Sequence, residues 1–304
     1  MKINSFTKSM LVVSSIIIIV IAACKKDNNN NPPPGGGVND DSSAAMLSGS
    51  SAISDNAYND VLQVALESSS DNKIAYLASM AKDGQVATNS THPSDAVNGI
   101  FFTCATYTLA PADTSTFPKT VTVDFGAGCT SLDGMYRKGK ITYVLSGKIL
   151  KPGTTVTATF TSYSVNGYQI EGTYAITNIS TLAGIAYTTK VTDGKITFPD
   201  AKYYTYAGNK TVKMIAGVAT PSDPTDDVYS ITGSHTFGSS TGNTLNDSIT
   251  TALSKAYTCR YISSGIISFT YNGSINGTVD FGNGTCDSLV TVNVGAFNKS
   301  IPLP

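Results

Sequence analysis

The chain has no tryptophan, only two histidines and two glutamates in 304 residues, and no block of like charge. Each scarcity removes a class of function. His92 and His235 stand alone, and the cysteines lack the close pairing that tetrahedral zinc needs. Without a basic field there is no footprint for nucleic acid: removing Lys2 and Lys8 from 20 basic side chains leaves 18 against 21 acidic ones. The missing tryptophan takes away the strongest platform for stacking on sugar rings. Glutamate is confined to Glu67 and Glu171 while Thr, Ser, Gly, Tyr and Val dominate, a balance that favours strands over helices.

A long hydrophobic run is also lacking. The apolar stretch from Met10 to Ala23 follows Lys2 and Lys8 and falls short of the roughly 18 to 20 residues of a spanning helix, so it reads as an export signal over residues 1–23. It ends in Ile21-Ala22-Ala23-Cys24, which resembles the lipobox of bacterial lipoproteins. The resemblance implies cleavage before Cys24 and lipidation of its sulfur, hence a membrane partner reached through the anchor. One acyl chain binds a membrane only reversibly, whereas two or three hold it.

Residues 24–50 continue with Lys25-Lys26-Asp27, four asparagines, three prolines and three glycines. Such a composition predicts a disordered tether whose reach, for about 27 residues, is roughly 28 Å. A lipid cysteine, an Asn-Pro-Gly tether and a β-rich body together resemble the cell-envelope lipoproteins of Bacteroidota. That resemblance implies an outer-membrane lipoprotein on the surface or periplasmic face.

Between Ser51 and Gly84, apolar residues recur at three- and four-residue steps: Val61, Leu62, Ala65 and Leu66, then Ile74, Leu77 and Met80. One or two short amphipathic helices follow from this, broken at Ser68 to Ser70, with Asp55 or Asn56 and Asp71 as N-caps. From residue 95 to 304 the period is two, with Asn-Gly, Asp-Gly and Pro-Gly turns between runs. The expected fold is mainly β: an antiparallel meander forming a sandwich, an open curved sheet or a partial barrel, over the N-terminal helices.

Weak echoes run through this region. Gly139-Lys140-Ile141-Thr142 returns at Gly194-Lys195-Ile196-Thr197, and Tyr168-x-Ile170-x-Gly172 returns at Tyr229-x-Ile231-x-Gly233. The longest echo is Val123-Asp124-Phe125-Gly126, repeated at Val279-Asp280-Phe281-Gly282, each with a cysteine before and after it. Four cysteines allow three pairings. The repetition favours the local one, Cys104 with Cys129 and Cys259 with Cys286, and each bridge is worth roughly 3.5 kcal/mol in the chain-entropy model.

Other motifs have bland explanations. Asp124, or Asp280 with Asn283 and Asp287, lacks calcium-loop spacing and reads as a turn. Gly238-x-Ser240-x-Gly242 has no histidine after it, and Gly134 to Lys140 enters a strand where a P-loop needs a helix. Tyr204 and Tyr206 share a strand face and suit cross-strand packing as well as sugar. Ser248 and Ser288 sit in Asp-Ser-apolar triplets that resemble the O-glycosylation acceptors of Bacteroidota.

No catalytic, metal or cofactor set assembles from these pieces. The reading is a lipid-anchored, non-catalytic binding or accessory module with a glycan or surface protein as ligand. Its alternatives are a secreted glycan hydrolase using paired carboxylates, for which Glu171 and nineteen aspartates are available, and a periplasmic lipid carrier.

Overall fold

The computed structural model describes residues 38–82, 87–88, 104–220 and 224–304. Among these described residues two helices lead, α1 (Val38–Ser68) and α2 (Asp71–Lys82), followed by fifteen strands. The strands are β1 (Ala87–Thr88), β2 (Thr106–Ala110), β3 (Lys119–Asp124), β4 (Cys129–Thr130), β5 (Tyr136–Leu145), β6 (Thr155–Val165), β7 (Tyr168–Asn178) and β8 (Ala186–Thr197). They continue as β9 (Tyr203–Ala216), β10 (Val228–Ser239), β11 (Thr244–Ala256), β12 (Ser264–Tyr271), β13 (Ile275–Asn283), β14 (Leu289–Val294) and β15 (Phe297–Pro302).

All strands belong to one antiparallel sheet in chain order, with β4 added beside β5. The sheet is open, β1 at one edge and β15 at the other, so the β region is one continuous unit. It must also be strongly curved. Helix α1 packs against β6 and β7 and against β13, β14 and β15. From β6 to β14 a flat sheet would span eight strand spacings of about 4.8 Å, roughly 38 Å, whereas a helix is only about 10–12 Å wide. The sheet therefore wraps around α1, with apolar residues inward and Thr, Ser and Lys outward.

The sequence echoes mark where the sheet bends. Five of the register shifts fall at a glycine: Lys138/Lys140, Glu171/Thr173, Val191/Gly194, Ile231/Ser234 and Ser264/Ile266. Both copies of the Gly-Lys-Ile-Thr phrase begin at such a bulge, and both Tyr-x-Ile-x-Gly phrases end at one. A bulge adds a residue to one strand, raises local twist and turns the sheet. At Gly139, with φ +79°, a Cβ would lie 2.2 Å from the Ser162 carbonyl oxygen, so only glycine fits.

The repeated Val-Asp-Phe-Gly phrase builds the same corner twice. Asp124 and Asp280 each accept the backbone N–H of the glycine two residues on, at 2.8 Å, and Phe125 and Phe281 are buried. Disulfides join Cys104 to Cys129 and Cys259 to Cys286, with Cα separations of 6.0 and 5.7 Å. One bridge sits near each end of the sheet, where fewer neighbouring strands hold the chain.

The helical region departs from expectation. Helix α1 has 31 residues and begins at Val38, so residues 38–50 are helix where a tether was expected. Ser42, Ser43, Ser48, Gly49, Ser50 and Ser51 have poor helix propensity and little apolar periodicity, but burial on several sides decides the outcome. Small residues let the strands approach: a Cβ on Gly49 would meet Ile301 Cδ1 at 2.5 Å. Asp55 and Asn56 are not caps; the helix runs through them, and Asp55 turns inward to meet Lys210. The break after Ser68 stands as expected, but the cap of α2 is Ser70, whose Oγ accepts the Lys73 N–H at 3.3 Å, and not Asp71, which is the first residue of the helix. Gly84 lies outside the described residues.

Gly139→Ala is expected to cost about 2–4 kcal/mol, combining overpacking with a strained positive φ. Urea unfolding beside Lys138→Ala, an exposed neighbour expected within about 0.5 kcal/mol of wild type, measures the difference.

Candidate functional site

One stripe of α1 faces the middle of the sheet. Ser51, Asp55, Asn59, Leu62 and Leu66 follow steps of four, four, three and four, which align side chains along a helix. The first two residues enter a buried polar network, in which Asp55 Oδ2, His235 Nδ1 and Asp247 Oδ1 keep no hydrogen-bond partner among the described residues, and the last three line a groove.

The network is built on β9, β10 and β11. Strict alternation turns Tyr206, Lys210 and Val212 inward on β9, His235 and Phe237 on β10, and Leu245 and Asp247 on β11. Gly208 is opposite His235, and its missing side chain leaves room for the imidazole, since a Cβ there would lie 2.6 Å from His235 Cβ. The Tyr206 ring stacks on His235 at 4.8 Å between centroids.

Asp55 pairs with Lys210 and accepts the Tyr206 hydroxyl at 2.7 Å. Ser51 donates to Asp247 Oδ2 at 2.6 Å, and both lie against the same ring nitrogen, His235 Nε2, at 2.8 and 2.7 Å. Burial works to raise the pKa of Asp55, but Lys210 and His235, with the hydroxyl of Tyr206, outweigh it and hold the carboxyl below its ordinary value.

These residue types suggest a Ser-His-Asp triad, but the geometry does not. A triad needs the serine on one imidazole nitrogen and the acid on the other. Here both crowd Nε2, while Nδ1 faces Asp55 at 4.0 Å, and every member is buried. The arrangement fastens α1 to three strands.

A second tie lies on another side of α1. Asp60 receives Arg137 through Nε at 3.1 Å and through Nη2, and Asp133 receives the same guanidinium at 3.0 and 2.6 Å. The Tyr163 hydroxyl donates to Asp60 at 2.6 Å, and Tyr143 donates to the Val61 carbonyl at 3.0 Å. Burial opposes the charge on Arg137, but Asp60 and Asp133 more than offset it and raise its pKa. Burial drives the Tyr143 and Tyr163 hydroxyls far above the usual phenol range, so both act as donors.

The groove begins where the network ends. Its apolar lobe, about 100 Å³, lies between Leu62 and Leu66 of α1 and Val212, Tyr229 and Ile231 of the sheet. Its polar lobe, about 310 Å³, is lined by Asn59, Asp60, Asp133, Lys255 and Arg260, among others. Asn59, Gln63, Lys255 and Tyr257 line both lobes, so the two lie side by side. Lys255 donates to the carbonyls of Cys259 at 2.5 Å and Arg260 at 3.3 Å, and burial pushes its ammonium down to about 8 against the pull of Asp60 and Asp133. Asn59 Nδ2 and Arg260 Nε are buried without a hydrogen-bond partner among the described residues. The Cys259–Cys286 bridge anchors the loop that carries Arg260.

The residues singled out in sequence scatter. Ser240 lies in the turn between β10 and β11, with a strand after it, and Gly134 in the turn before β5. Glu171 pairs with Lys195 across β7 and β8 at 3.3 Å. Tyr204 stacks on Phe237 at 4.9 Å and faces inward, as Tyr206 does, so neither offers a sugar platform. Asp287 closes a turn by accepting the Leu289 N–H at 2.8 Å. Ser248 is exposed on β11, whereas Ser288 is half-buried beside β14. Cys24 and His92 lie outside the described residues.

Sequence reasoning missed Lys210, His235, Asp247, Arg137 and Lys255. The signal was present for three of them: Tyr206-x-Gly208-x-Lys210-x-Val212, His235-x-Phe237 and Leu245-x-Asp247 place a polar residue in phase with inward apolar ones.

Arg137→Met is expected to cost about 3–5 kcal/mol in urea unfolding by stranding Asp60 and Asp133, and adding Asp60→Asn should recover part of it. The stability carried by Asp55 is fully present above its unfolded value of 3.8 and is lost as pH falls from there through its lower folded value. Stability measured from pH 6 to 3 should therefore fall less steeply in the double variant Asp55→Asn/Lys210→Met than in wild type. An unchanged acid slope would remove Asp55 as a contributor.

No family model, curated protein or solved structure matches this chain.

Proposed function

We propose that this protein is a lipid-anchored module of the cell envelope that binds a ligand in the groove beside α1 and performs no covalent chemistry. The observation that carries this reading is the groove itself. At its polar end two buried donors, Asn59 Nδ2 of α1 and Arg260 Nε, stand without a hydrogen-bond partner among the described residues beside a cavity. Ligand sites combine apolar walls with a few convergent polar groups, and the two lobes have that character.

The alternatives fit less well. A glycan hydrolase needs two carboxylates free to handle protons, and Asp60 and Asp133, which share a wall of the polar lobe, both grip Arg137. A carrier of long-chain lipids needs room for a full acyl chain inside the sheet, where α1 already lies packed against strands of both halves. The lipobox and the Asn-Pro-Gly composition after it support the anchor, and the envelope follows from the anchor.

Protease shaving of intact cells, with fragments identified by mass spectrometry, tests placement. Peptides from residues 104–304 are expected to be released from wild-type cells only if the protein faces outward, and after outer-membrane permeabilisation if it faces the periplasm. In either case Cys24→Ala should move the protein out of the membrane fraction. A Cys24→Ala protein that stays in that fraction would remove the lipid anchor from the reading.

A further inference from the structure

The unpartnered groups in the groove are all donors, and this asymmetry identifies a ligand class. Both oxygens of Asp60 and of Asp133 are engaged by Arg137, and Asp133 also accepts the Met135 N–H at 3.0 Å. The acceptors on that wall are therefore satisfied. Asn59 Nδ2 and Arg260 Nε are buried with nothing to donate to, and the two carbonyls on Lys255 leave one of its three N–H bonds over. No carboxylate pairs with Arg260 among the described residues; its guanidinium lies beside the Tyr261 ring at 5.3 Å. A buried donor without an acceptor is costly, and more so when it is charged.

We infer that the groove takes a small amphiphile whose anionic, acceptor-only head group sits among Asn59, Lys255 and Arg260 and whose apolar tail enters the lobe between Leu62, Leu66, Val212 and Ile231. This rests on the groove being the binding site and adds the chemistry of its ligand. Each element follows from a lining group. Two cations and an amide N–H face the head, and Arg137 already holds Asp60 and Asp133 of the same lobe, so a cationic head would find no free acceptor and a neutral one would lose the charge-assisted bonds. The tail lobe is small, about 100 Å³, so it suits one short chain, and a long lipid would protrude. The carbonyls of Cys259 and Arg260 hold Lys255, so the head meets a fixed charge and not a flexible side chain.

The test is equilibrium dialysis of the full chain in phosphatidylcholine vesicles against protein-free vesicles, using labelled octanoate, octyl phosphate, octanol and octylammonium. Saturable, one-to-one binding of octanoate or octyl phosphate is expected, about tenfold or more tighter than octanol, with octylammonium weakest. The better of the two anions tells whether the head is a carboxylate or a phosphate. Arg260→Gln should weaken the anion about tenfold and leave octanol unchanged, while Leu66→Trp, which fills the tail lobe, should weaken both. Octanol binding equal to octanoate, insensitive to Arg260→Gln but sensitive to Leu66→Trp, would overturn anion recognition and leave the groove as a site. No binding above vesicles alone would overturn both.

Discussion

The structure turns on two carboxylates buried in one helix. Asp55 and Asp60 lie within five residues of each other on α1, and wrapping a sheet around that helix takes both out of water. An unpaired buried charge costs several kcal/mol, so each needs a cation delivered by a strand at a suitable depth. Lys210 of β9 answers Asp55, and Arg137 of β5 answers Asp60. Because the partners come from strands four positions apart in the sheet order, the pairs fix how α1 is rotated as well as where it lies. Sliding or turning the helix would break one pair or the other, which apolar contacts alone would not forbid.

A helix can occupy that position only if the sheet bends, and the bend is written as glycine. Bulges at Gly139, Gly172, Gly194, Gly233 and Gly265 recur from strand to strand, so curvature accumulates along the meander. Backbone atoms of the neighbouring strand approach to within 2.2–2.6 Å of where a Cβ would stand at each of these glycines. The short sequence echoes thus arise from a repeated mechanical need. They look like a duplicated hairpin but are copies of a corner, much as the two Val-Asp-Phe-Gly phrases are.

This explains what was legible in the sequence. Alternation, turn dipeptides and the repeated cysteine phrase act over a few residues, and they led directly to antiparallel strands in chain order and to the local cysteine pairing. Helix α1 was half hidden because its first turns owe their helicity to burial by strands more than 200 residues away, such as β15 at Gly49. Periodicity cannot report a helix buried on several sides, since no polar face remains to give contrast. Lys210, His235 and Asp247 were hidden for a related reason. Their alternation was readable, but a polar residue at an inward position makes sense only once its partners on α1 are known.

The candidate site was the least legible part, because it is defined by absence of pairing. Asn59, Lys255 and Arg260 are unremarkable residue types far apart in sequence, and only the fold shows that their donors converge while neighbouring acceptors are taken. The two ends of one stripe of α1 differ in what they leave over: Asp55 Oδ2 and Asp247 Oδ1, acceptors, in the network, and Asn59 Nδ2 and Arg260 Nε, donors, in the groove. At Ser51 and Asp55 the protein supplies Tyr206, Lys210, His235 and Asp247 from three strands to tie the helix down. One turn later it places two cations and, among the described residues, supplies no carboxylate for Arg260. Water could solvate such donors in an open cleft, but it gains nothing from the apolar lobe that lies beside them. A molecule with an acceptor at one end and hydrocarbon at the other would satisfy both halves of the groove.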